Sequence, residues 1–319
     1  MKFISIGVCT ALLIASLIFS PTNQSDVKTG EGKGKSLELV DVNEFIDFLM
    51  FVTGEEEYSE LSAVKSDSDG FSNMSVNSSS NNDSESRTQT VITKFKSGTV
   101  HEETVVSQRV HQNNTYYSMS LNRNLSIYIS ETAVYYHSQG NMTTEEDGST
   151  THYIFDIEIY NDINNCFVKF NRFDYTGDYK EIGIKVLDSG IGIWLDFSEN
   201  MPEMNDLLED TYIGEIADEI SGIDESYFDQ NGDVYLADFV AHGDFSEYDT
   251  AYLEIDISNG KKPSAVFVLN RDTDDTWYSY SVNEDQLVKF SFENIDNTVV
   301  EFDDNIKVQK NLDKFVKLY

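Results

Sequence analysis

AYLEIDISNGKKPSAVFVLNRDTDDTWYSYSVNEDQLVKFSFEN, residues Ala251–Asn294, decides the fold. Leu253, Ile255 and Ile257 alternate with Glu254 and Asp256, a two-residue period that suits a half-buried strand and not a helix. Asn259-Gly260 then offers the residue pair that tolerates positive φ at a tight turn. Pro263 has no amide hydrogen and fits the start of a strand carrying Ala265, Phe267 and Leu269. Trp277–Val282 and then Val288, Phe290 and Phe292 repeat the pattern. The stretch therefore predicts four successive antiparallel strands, each with one apolar and one wet face.

Working outward, the same alternation fills most of the chain from Thr88. Val91–Phe95 and Val100–Gln108 flank Ser97-Gly98, which reads as a hairpin turn. Tyr117, Met119 and Leu121 follow, then Leu125, Ile127 and Ile129, and then Ala133–His137. Tyr153, Phe155, Ile157 and Ile159 form an amphipathic strand with Asp156 and Glu158 expected toward water. Phe167–Phe173 and Ile182–Leu187 continue the meander, and Ile191–Phe197 closes it. Tyr227–Ala241 reads as a hairpin around Asn231-Gly232.

Two helices interrupt the strands. Asp41 is a suitable N-cap for Val42–Val52, Glu44 completes a capping box, and Val40 with Phe45 occupy the positions of a hydrophobic staple. Val42, Phe45, Ile46, Leu49 and Met50 share one stripe, which predicts docking on the sheet. Pro202–Ile220 is the second helical segment, with Gly214 as a break between two short helices.

The ends and linkers have their own composition. Met1–Phe19 is an apolar run behind Lys2, so Met1–Ser20 reads as a signal peptide or N-terminal anchor and predicts an exported, extracellular or cell-envelope protein. Pro21–Arg87 divides into a polar tether, the first helix, and a Ser/Asn-rich acidic loop at Glu55–Arg87 with too few apolar residues to order itself. Thr88–Tyr319 is the antiparallel β domain with its helical insertion.

Charge and motifs narrow the function. A net charge of −35 repels nucleic acid and anionic membrane surfaces, which leaves membrane contact to an uncleaved N-terminal segment alone. Solubility accounts for such a charge if the carboxylates line the solvent face of every strand. His101, His111, His137, His152 and His242 form no ligand pair, and no metal or cofactor motif is present. Asp229, Asn231 and Asp233 resemble part of a calcium loop, for which a hairpin tip is sufficient explanation. Cys166, beside Phe167, Val168 and Phe170, reads as a small buried hydrophobe. Nothing in the sequence marks an enzyme.

The order of elements gives an α+β, mostly antiparallel fold: a curved, half-barrel-like sheet covered by an N-terminal helix and a short middle helical segment. Over Val42–Asp303 this resembles the bacterial LolA/LppX-like carrier superfamily in element order and strand style. The resemblance implies non-enzymatic binding of a lipid or acyl chain in an apolar cavity under the sheet. Phe45, Leu49, Phe155, Ile157, Ile255, Phe290 and Phe292 are the apolar positions expected to line such a cavity. The alternative is an extracellular interaction module that binds protein or glycan through exposed Tyr-rich strands and has no cavity. A filled or hollow inner face separates the two.

Overall fold

The computed structural model describes residues 26–53, 95–112, 115–178, 182–198, 211–221, 223, 225–243, 245–275, 280–303 and 305–319. The expected signal segment, the Glu55–Arg87 loop, the first half of the Pro202–Ile220 helical segment, the Asn113-Asn114 turn and Trp277 lie outside the described residues.

Eleven strands form one open antiparallel sheet that is not closed into a barrel. Its first half is a meander: β2 (Gly98–Gln112), β3 (Thr115–Ile129), β4 (Ala133–Glu146), β5 (Ser149–Asp162) and β6 (Cys166–Thr176), with the short β8 (Trp194–Asp196) at the edge. The second half runs through β9 (Asp229–Asn231), β10 (Val234–Asp238), β11 (Thr250–Asp256), β12 (Ser264–Asp275) and β13 (Tyr280–Glu293). The halves meet where β2 pairs with β13 along its length, from Tyr280↔Gln112 to Glu293↔Thr99.

The deciding stretch supplies three strands, not four. Val282 and Val288 belong to one continuous strand, because Glu284 and Gln286 keep the inward alternation between them. Gly260 is also used differently from expectation: it is not among the positive-φ glycines. Its site is closed by the Leu39 carbonyl, which a Cβ would strike, and its own carbonyl accepts from Leu39 N at 2.8 Å. Close approach of a second backbone is what requires glycine there.

Other expectations shift for similar reasons. Ser97-Gly98 is not a hairpin tip. Gly98 opens β2, and the Ser97 carbonyl and hydroxyl accept from Asp296 N and Thr298 N, which ties this point to the far end of the chain. A two-residue turn, Asp147-Gly148 with both at positive φ, joins β4 to β5. Ile184–Val186 (β7) leaves the meander and pairs with Val316–Leu318 (β15). Part of the expected tether, Val27–Glu31, is a strand (β1) paired with Thr298–Phe302 (β14), because Val27 finds an apolar site among Tyr135, Trp194 and Val300. The Asn231-Gly232 hairpin forms with Gly232 at φ +66°, but Phe239–His242 turns into a short helix (α3).

Two longer helices cover the inner face. α1 (Val42–Thr53) is capped by Asp41, whose Oδ1 accepts from Glu44 N at 2.8 Å, while Glu44 Oε2 reaches back to Val40 N at 3.0 Å. The staple does not form: Val40 is 70% exposed, and Phe45 packs on Phe292 and Phe290 at ring distances of 4.9 and 6.1 Å. The buried side of α1 is wider than the expected stripe, since Phe48 also turns inward against Phe95 and Phe292. α2 (Tyr212–Ile220) begins at Thr211, whose hydroxyl accepts from Gly214 N. Gly214 lies in its first turn and breaks nothing. Burial of each such aromatic or aliphatic side chain contributes about 1.5–3 kcal/mol, so these faces fix the helices on the sheet. The outer face is covered only in part, where β1 and β14 pack over β3 and β4.

Candidate functional site

The seven residues expected to line a cavity come together in one apolar cluster on the inner face. Phe45, Leu49, Phe155, Ile157, Ile255, Phe290 and Phe292 are each no more than 2% exposed. Each is enclosed by neighbouring protein atoms, within the same continuous apolar cluster.

A polar centre interrupts this apolar face. On β2, alternation turns Val100, Glu102, Thr104 and Val106 inward and leaves His101 and Glu103 outward. On β3, Arg123 faces inward between Leu121 and Leu125. Arg123 donates from Nε and Nη2 to Glu102 Oε1 at 3.1 and 2.5 Å, and Thr104 Oγ1 donates to that oxygen at 2.6 Å. The other oxygen, Glu102 Oε2, has no partner, and neither has the hydroxyl of buried Tyr136 on β4. Burial pushes the Tyr136 phenol well above its usual range. The Arg123 charge works against that rise and the Glu102 charge adds to it. Tyr212 of α2 lies over the Arg123 guanidinium at 5.2 Å, with its phenol likewise raised by burial.

The expectation that carboxylates occupy only the wet faces fails here. It fails also at Glu158, whose side chain is 9% exposed on the outer face. There Tyr135 Oη donates to Oε2 at 2.8 Å, and Asn171 and Lys169 donate to Oε1. Lys169 also meets Asp26 at 2.8 Å, and Trp194 Nε1 donates to the same Asp26 oxygen. The carboxyl of Asp156 is lowered: desolvation, the largest influence, opposes this, but hydrogen bonds from His137 and Asn171, with the charges of His137 and Lys169, together outweigh it. Sequence reasoning missed Glu102 and Arg123, although each is framed by apolar residues two positions away on either or one side.

The uncovered outer face carries a different arrangement. Across β10 to β2 the register sets Leu236 beside Glu254 and Val266, and Tyr252 beside Val268, Leu287 and Val105. Leu236 is 36% and Val105 38% exposed, and the other apolar members are half-buried. Exposed Asp238, Glu254, Asp285 and Glu103 stand among them, and Lys289, opposite Val266, pairs with Glu103 at 3.5 Å. Of the strand tyrosines, Tyr135 and Tyr160 lie in the cluster under β1 and β14, with Tyr128 against it, while Tyr116, Tyr117, Tyr252 and Tyr280 are half-buried.

Among the described residues no three His, Cys, Asp or Glu side chains gather as metal ligands. Asp229 and Asn231 are exposed on the hairpin arm, where Gln230 Nε2 donates to the Gly232 carbonyl. His101 and His137 pair with Glu293 and Asp156, and His152 with Thr143. Cys166 is buried, and burial pushes its thiol up to about 12. No family model, no curated protein and no solved structure matches this chain.

Proposed function

We propose that this is an exported, non-enzymatic interaction module that binds a cationic protein surface through the open outer face of its sheet. The observation that carries the reading is the row Leu236, Tyr252, Val266, Val268, Leu287 and Val105, left partly exposed on the outer face while the seven inner-face residues are buried. Apolar residues grouped on an otherwise polar face mark a contact surface. Their carboxylate neighbours, in a chain of net charge −35, favour a partner rich in Lys and Arg and speed its association. Met1–Phe19 supports export.

Binding to an amphipathic Lys/Leu peptide, followed by surface plasmon resonance, tests this reading. Wild type is expected to bind at low salt and weaken as salt is raised. The Val105→Asp/Leu287→Asp variant should lose at least about tenfold, a difference of about 1.4 kcal/mol. Equal binding by wild type and variant would remove the outer face from consideration. Uptake of a fluorescent fatty acid without any peptide binding would favour the lipid-carrier reading instead.

A further inference from the structure

The chain contains two Asn-Gly pairs, Asn231-Gly232 and Asn259-Gly260, and the fold holds them very differently. Such a pair carries its own chemistry, because the amide nitrogen of a residue without a side chain can approach the neighbouring carboxamide. Ring closure between them requires the backbone at the Asn to rotate out of its native geometry. The pair that opens at the lower cost therefore reacts first.

Asn259-Gly260 is clamped. The Asn259 carbonyl accepts from Lys262 N at 2.8 Å, the Gly260 carbonyl accepts from Leu39 N at 2.8 Å, and the Leu39 carbonyl closes the space beside Gly260. Lys261 next to it pairs with Glu38 at 3.3 Å. Asn231-Gly232 stands free by comparison. Asn231 ends β9, a three-residue strand at the edge of the sheet with all its residues exposed. Gly232 is exposed as well, and the place a Cβ would take there meets nothing within 4 Å. Gln230 Nε2 holds the Gly232 carbonyl at 3.0 Å, but among the described residues nothing bonds the Asn231 carboxamide or the Gly232 amide nitrogen.

We propose that Asn231 is a site of spontaneous deamidation, which the folded protein permits at this pair and suppresses at Asn259. The Gly232 amide nitrogen gives its proton to base and attacks the side-chain carbonyl carbon of Asn231. The new C–N bond closes a succinimide as the carboxamide nitrogen takes up a proton and leaves as ammonia. Water then adds to one of the two ring carbonyls and breaks its C–N bond, giving aspartate or isoaspartate, with no oxidation or reduction at any step. Both products add a carboxylate on the face that Val234 and Leu236 share. Isoaspartate also lengthens the backbone by a methylene at the Asn231↔Val234 pair, which breaks the pairing of β9. β10 is then left with an open edge, while its other side stays bonded to β11. This chemistry needs no partner and does not depend on the outer-face surface, whose border the new charge joins.

Ageing the purified protein in mildly alkaline buffer tests the proposal, read by peptide mapping with mass spectrometry and by isoaspartyl methyltransferase labelling. In the folded protein Asn231 is expected to convert at least about tenfold faster than Asn259, whereas in urea the two convert at similar rates. Asn231→Gln should remove the modification from this segment and leave the melting temperature nearly unchanged, since the side chain is exposed. Hydrogen exchange on the isoaspartate form, separated by anion exchange, should show lost protection in β10 and full protection in β12. Equal rates at the two pairs in the folded protein, faster conversion of Asn259, or conversion of Asn231 only in urea would overturn the assignment. Unchanged protection of β10 in the isoaspartate form would overturn the opening of the edge.

Discussion

Arg123 places both of its bonding nitrogens on one oxygen of Glu102, at 3.1 and 2.5 Å, and so leaves the second oxygen of that carboxylate without a partner. The pair spans β2 and β3, and β2 is the strand through which the first half of the sheet meets β13 of the second. Both side chains are almost fully buried, at 3% and 0% exposure, so neither charge can fall back on water if the other is removed.

Breaking this pair should therefore cost more than replacing it. Arg123→Met alone is expected to destabilise the protein by about 3–5 kcal/mol, because it strands a buried carboxylate. The double variant Glu102→Leu/Arg123→Met should recover most of that loss. Urea denaturation of the two single variants and the double completes the cycle. A single variant as stable as wild type would mean that the pair is hydrated in solution.

Gly98 should resist substitution for a reason outside its own strand. A Cβ there would run into the ring of Phe48, which is itself held by Phe95 and Phe292 at 5.0 and 4.9 Å. Gly98→Ala is expected to cost about 1–3 kcal/mol through overpacking, and Phe48→Leu in the same chain should relieve part of it. Melting temperatures of the three variants decide the point.

Lys169 gives the fold an alkaline limit. Desolvation, the largest single influence on its ammonium, pulls its pKa down, but Asp26 and Glu158 together raise it above the ordinary 10.5. A base raised in the folded state stabilises fully below its unfolded value and loses that contribution as pH rises through the folded one. Stability should fall above about pH 10.5, and less steeply in Lys169→Met than in wild type. Urea midpoints at rising pH, compared between the two proteins, measure this. Parallel curves would refute the role of Lys169.

Cys166 should be inert in the native protein. Its thiol is buried and raised to about 12, first by desolvation and then by the Asp196 charge. Iodoacetamide at pH 8 is expected to leave it unmodified until urea unfolds the chain, as mass spectrometry would show. Rapid alkylation of folded protein would contradict that burial.

The sequence by itself determined that strands dominate, which residues of each strand share a face, and where the first helix begins. Leu253, Ile255 and Ile257 turn inward together, as do Phe155, Ile157 and Ile159, because a two-residue period is a property of the backbone and needs no neighbour. The capping of α1 by Asp41 is equally local. What lies above a face is not local. The seven apolar residues expected around a cavity look the same in sequence whether a ligand or a helix covers them, and only the tertiary structure set Phe45 of α1 against Phe292 of β13. Tertiary structure alone paired β1 with β14 over the tyrosines of β3 and β4. It also brought Glu102 and Arg123 together, 21 residues apart, where the hairpin register makes partners of two charges that read separately as surface residues. Long-range pairing depends on chain closure and on competition among many similar strands, and a two-residue pattern carries no record of that choice.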